Sequence, residues 1–278
     1  MSFQPHIPLT GIAGWRFLER TQTTQQAAFE KGPELAREIA YFKENIGEVE
    51  SAADLIADRR LLKVALGAFG LSDEIDKKAF IRKVLESNTA DPTTFAMRLT
   101  APGFRKLAAA FGFGDAGGAN TGKAGFADAV VAAYKTRAFE AAVGETDNDM
   151  RLAMNFRREI AELAQGETGG SWYAVIGSPP LRQVIEKAYG LPKEFGKIDV
   201  DRQRDILRDK TSAMFGTANL SAFADPANVE KMITRFLARA QLEAGAAAIS
   251  AGSAALTLLQ NANASGSAGL RNLLFARG

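Results

Sequence analysis

The chain has 278 residues, 46% of them apolar and 24% charged; this composition can fill a core, and it excludes disorder throughout as well as collagen-like or mucin-like structure. Its 34 Lys and Arg against 32 Asp and Glu leave a net charge of +2, too balanced for a protein that relies on neutralising nucleic-acid phosphates. With no cysteine and one histidine, disulfides, thiolate metal sites, cysteine nucleophiles and most histidine acid–base chemistry fall away, which turns the reading toward non-catalytic roles.

The N-terminal MSFQPHIPLTGIAG has neither the cationic start nor the unbroken apolar stretch of a cleavable secretory signal. His6 sits in an extended Pro5-His6-Ile7-Pro8 with no neighbouring Ser, Asp or Glu to work with, so it reads as a surface residue. The polar stretch Leu18 to Ala27 reads as a helix within an N-terminal arm over residues 1–32.

Residues 33–114 are expected to form a first helical repeat. Asp58 can cap a helix whose inward face is Leu61, Val64, Ala65, Ala68 and Phe69, spaced i, i+3, i+4, i+7, i+8, before a left-handed stop at Gly70. The cassette recurs 120 positions later, where Ser178 caps, Pro179 takes N1, and Leu181, Val184, Ile185, Ala188 and Tyr189 repeat the spacing ahead of Gly190. A third copy, slipped by one residue, runs from Ala101 to Gly112. Around the first pair, Ser51 to Ile56 aligns on Ser171 to Ile176, and Arg37 to Ala40 returns as Arg158 to Ala161. Asp91-Pro92 is echoed by Asp225-Pro226, each expected to cap and start a helix. Several matches in one order predict an internal duplication. Phe69 and Tyr189 should then be equivalent buried positions.

Residues 115–150 are expected to hold a Gly-rich connector and a bridging helix running from Phe126. Within Gly112 to Gly125, Gly117 to Lys123 fits G-x-x-x-x-G-K, and Ala124 then stands where a phosphate-binding loop needs a hydroxyl. The sequence ahead of it is Ala-rich and helical where such a loop follows a strand, so a flexible linker is the simpler reading and nucleotide binding through Gly117 to Lys123 the alternative.

Residues 151–243 form the expected second repeat. The pairs Asp147/Asp149 and Asp199/Asp201 open like calcium loops, but the sixth positions are Leu152 and Arg204 and the twelfth Arg158 and Lys210, where Gly and Glu are required. Helix caps explain these Asp residues. Arginines between Arg202 and Arg208 alternate with acids and make no one-sign stripe. No metal or cofactor ligands emerge.

Residues 244–278 are an Ala/Gly-rich tail. The run Ala244 to Leu259 falls short of the roughly 20 strongly apolar residues of a membrane span, and peripheral membrane association through it is a further alternative. A helix is predicted from Gln241 to about Gln260, a joint from Asn261 to Gly269, and a contact turn at Leu270 to Phe275. The fold predicted is therefore all-α: two related helical halves joined by the connector and the bridging helix, with no sustained period-2 run.

The cassettes with their Ala-aromatic-Gly ends, the segments Tyr134 to Gly144 and Arg151 to Arg158, and the Arg235-Phe236 ending resemble the domain-of-unknown-function 1217 family of alphaproteobacteria over roughly residues 30 to 240. The resemblance brings no catalytic residues. It implies a setting in flagellar gene clusters, and hence a non-catalytic flagellum-associated structural or assembly protein with protein partners, in the bacterial cytoplasm or the flagellar basal body. The absence of cysteine suits a chain that passes through an export channel.

Overall fold

The computed structural model describes residues 3–165 and 171–246, and every regular element among them is helical. In chain order these are α1 (Gly11–Glu30), α2 (Pro33–Asn45), α3 (Ala52–Ala57), α4 (Arg59–Ala68), α5 (Lys78–Leu85), α6 (Phe95–Arg98), α7 (Pro102–Phe111), α8 (Phe126–Thr146), α9 (Asn148–Gln165), α10 (Trp172–Ile176), α11 (Pro179–Tyr189) and α12 (Val200–Phe215), joined by short 3₁₀ turns. A last helix, α13, covers residues 226–246. The contact turn expected at Leu270 to Phe275, the joint before it and most of the predicted tail helix lie outside the described residues.

Two hydrophobic cores share the molecule. The first is built from α2 to α7 and takes Val130, Val131 and Tyr134 from the start of α8. The second is built from α9 to α13 and takes Phe139 and Val143 from its end. This explains why α8 shows no single apolar stripe: its buried face rotates from one core to the other along 21 residues. The N-terminal helix α1 packs with the later half, sending Trp15 and Leu18 into the second core. Trp15 Nε1 donates to Glu230 at 3.2 Å, and the Arg157 guanidinium lies 4.4 Å above its ring. The extended N-terminus is fastened to α1 by Gln25, which accepts from the His6 amide at 2.7 Å and donates to the His6 carbonyl at 3.0 Å.

The paired cassettes are α3–α4 and α10–α11. Asp58 Oδ1 accepts from the amides of Arg60 and Leu61, and Ser51 and Ser171 cap α3 and α10. Gly70 and Gly190 have φ of +73° and +66°, a region closed to most side chains, and each lets the chain leave its helix sharply. The third copy is α7, with Pro102 in its first turn and Gly112 as its left-handed stop.

Three details depart from the sequence reading. Ser178 occupies the N-cap position of α11, but its side chain makes no capping bond; Pro180 removes the N2 amide, and the hydroxyl does not reach the Leu181 amide at N3. Phe69 is half-buried, with its ring centroid 6.5 Å from that of the fully buried Phe111. Asp91 starts a turn and not a helix, its carboxylate accepting from the Thr93 amide and hydroxyl, and α6 begins only at Phe95. Its counterpart Asp225 does cap, accepting from the Ala227 amide at 2.9 Å at the start of α13.

The Gly-rich connector is fastened to the first half. Asp115 accepts from the Thr89 amide and hydroxyl, Asn120 donates to the Ala109 and Ala110 carbonyls at the end of α7, and the buried Thr121 hydroxyl donates to the Val49 carbonyl at 2.5 Å. A Gly-rich composition predicts a flexible linker only when such side-chain anchors are absent.

Candidate contact surface and inter-half cleft

Between the halves lies a cavity of about 670 Å³. Its floor is α8 and α9. Its walls are the end of α4 with the turn at Ser72 and Asp73, the start of α7, and the start of α11. The halves touch beside it where Gly177 meets Thr100 so closely that a Cβ at Gly177 would lie 2.2 Å from Thr100 Cγ2 and 2.9 Å from its carbonyl oxygen. Lys106 of α7 pairs with Glu162 of α9 across the same boundary.

Four charges organise the floor. Arg158 grips Glu140 through two bonds of 2.8 and 2.9 Å, and Glu140 is 5% exposed. Glu159 Oε1 accepts from Arg137, Arg158 and Asn155 at 3.2 to 3.3 Å. Burial lowers the pKa of Arg137, with the neighbouring Arg158 charge acting the same way. Burial also acts to lower that of Arg158, but the Glu140 hydrogen bonds and charge outweigh it and the pKa is raised. Beside the floor, burial and a hydrogen bond to Glu38 hold the Tyr134 hydroxyl protonated well above its ordinary range.

The first half also exposes an aromatic cluster. Phe80 lies edge-to-face between Phe95 and Phe104, with centroids 5.3 and 5.2 Å apart. Phe95 is 39% exposed, the other two are half-buried, and Lys77 and Lys78 stand exposed beside them. A Phe at helical spacing ordinarily packs into a core. These three reach the surface because α5, α6 and α7 meet at the edge of the first core, with no other element stacked beyond them among the described residues.

The motifs singled out from the sequence lie apart from both features. Gly117, Gly118 and Lys123 are exposed on the connector, which follows α7 where a phosphate-binding loop follows a strand. Asp147 and Asp199 act as helix caps, each accepting from two amides of the following turn. His6 is exposed, its ring edge-on to Phe17 at 6.3 Å. Among the described residues no helix is long and apolar enough to cross a membrane, and no three acidic or histidine side chains gather as a metal site. The cleft itself was not foreseen: its floor joins residues of α8 and α9 to helix ends from both halves, and only the doubled Arg157-Arg158 followed by Glu159 hinted at a charge network there.

These features define an all-α protein in which one bridging helix feeds two cores and floors a charged cleft between them. The chain belongs to the family described as protein of unknown function (DUF1217), whose model matches residues 68–229, a span that contains the aromatic cluster and all but Gly67 of the cleft lining. It is similar to the crystal structure of protein AGR_C_984 from Agrobacterium tumefaciens, with a TM-score of 0.72 and 27% identity over 86% of this chain and 99% of that one. Among curated protein sequences, none matches this chain.

Proposed function

We propose that this protein is a non-catalytic, flagellum-associated structural or assembly protein that works through protein–protein contacts. The observation that carries the contact role is the exposed Phe80, Phe95 and Phe104 cluster with Lys77 and Lys78 at its rim. Aromatic rings bring large contact area at small entropic cost, and the rim around them mixes Glu74 and Asp76 with Lys77 and Lys78, which suits a partner segment that is apolar with polar flanks. The flagellar setting rests on the resemblance of the cassettes and of Tyr134 to Gly144 to their family. The non-catalytic reading rests on a sequence without cysteine and with one histidine, exposed in the extended N-terminal segment.

The test is an in-frame deletion complemented with the wild-type gene or with Phe95→Asp. The deletion is expected to abolish swimming or filament assembly. Wild type should restore it and Phe95→Asp should not, although the purified variant melts with wild-type cooperativity. Normal swimming in the deletion strain overturns the reading. Binding of magnesium and ATP that Lys123→Ala abolishes would redirect it to the connector.

A further inference from the structure

The cleft between the halves carries an inference independent of the aromatic cluster. Ser178 lines it, is 6% exposed, and has no hydrogen-bond partner for its hydroxyl among the described residues. With neither a capping bond nor a neighbour's bond, that hydroxyl is left free to meet a molecule in the cleft. On the floor, Arg137 Nε and Asn155 Oδ1 are also buried without a partner, one a donor and the other an acceptor. Arg137 through a terminal nitrogen and Asn155 through its amide nitrogen both donate to the same Glu159 oxygen, so the two side chains stand around one point of the cleft floor. The helices α7 and α11 start at the cleft wall, and their N-terminal dipoles add positive potential there.

The carboxylates around the cleft narrow the chemistry. Glu140 and Glu159 are taken up by arginines, which leaves Asp73 and Glu145 exposed at the rim. The interior thus offers donors to an oxyanion, through Arg137 and Ser178. Asn155 and the rim acids offer acceptors to a hydroxyl or ammonium group next to it. We propose that this cleft binds a small organic acid bearing an adjacent hydroxyl or amino group, of the α-hydroxy or α-amino acid class. The cavity of about 670 Å³ has room for such a ligand with water around it, and sites at the junction of two packed units are the usual place for one.

The experiment follows amide and Arg137 Nε–H resonances of the full chain by two-dimensional NMR during titration with L-malate, L-glutamate and sulfate. Saturable shifts at Arg137 and at the first turn of α11 with malate or glutamate are expected. Sulfate, which brings an oxyanion but no donor, should bind about fivefold more weakly or less. Ser178→Ala should weaken the organic acid about fivefold with no change in melting temperature, because that hydroxyl makes no bond in the protein. Ala141→Phe, at an exposed position of α8 on the cleft floor, fills the space and should weaken binding by at least about tenfold. Absence of saturable shifts with both acids overturns the proposal. So do shifts that map elsewhere, or binding that both variants leave intact. Sulfate binding as tightly as the acids overturns the requirement for the adjacent donor.

Discussion

The two cassettes sit 120 positions apart, share their helix spacing and their left-handed glycine stops, and differ at the positions that look outward. Asp58 in the first half caps α4 with two bonds, while Ser178 in the second caps nothing and lines the cleft. Phe69 is half-buried, whereas its counterpart Tyr189 is buried and shares a 2.7 Å hydrogen bond with Thr211. Burial raises the Tyr189 pKa to about 12. Leu66 is fully buried, and its counterpart Glu186 is half-buried with a carboxylate that burial makes harder to ionise. One helical pattern thus serves two environments. What the matched residues share is the demand of the local helix, and what separates them is the half that surrounds each.

Truncation at the centre of the first core gives the largest effect by which the comparison can be broken. Phe111 is fully buried and packs against Phe69, Phe113 and Phe126. Phe111→Ala is expected to lower stability by about 3–5 kcal/mol, read as a shift in the denaturant midpoint. A loss below about 1 kcal/mol would mean that the first half has no core of its own.

Phe69→Ala should cost only about 1–2 kcal/mol, since part of the ring already faces solvent. Tyr189→Ala at the matched position should cost more, because it opens a cavity and leaves Thr211 with one partner fewer. Thermal unfolding of the pair reads the difference, and equal losses would show that the two sites are environmentally alike.

The caps give a smaller contrast. Asp58→Ala should cost about 1 kcal/mol, whereas Ser178→Ala should stay within about 0.5 kcal/mol of wild type. The Asp58 effect also has a pH signature. Burial acts to raise its pKa, but the hydrogen bonds from the Tyr41 hydroxyl and the Leu61 and Arg60 amides outweigh it, so the folded pKa is lowered. A lowered carboxylate pKa contributes stability that is fully present above the unfolded value of about 3.9 and is lost as pH falls through the folded value. The gap between wild type and Asp58→Ala should therefore be constant near neutrality and close in acid. A gap that widens in acid would contradict the bonding seen at Asp58.

Helix content, the face of each cassette and the helix stops were legible in the sequence, because a period of 3.6, a capping Asp or Ser and a glycine beyond the last turn act within a few residues of one another. The bridging helix was legible too, from the unbroken run after Phe126. Three outcomes needed the tertiary structure. Asp91 and Ser178 carry the signature of a helix start, yet one is drawn into a turn by Thr93 and the other loses its N2 amide to Pro180 and makes no capping bond. The Gly-rich connector is fastened to the first half because Thr89, Val49 and the end of α7 meet its polar side chains. The cleft exists because α8 passes from one core to the other, which lets Arg137, Asn155 and Ser178 line one cavity although they come from three separate elements. Local sequence determines which face of a helix is apolar. Which residues are left without partners where two halves meet depends on distances between helices, and those are fixed only when the cores pack.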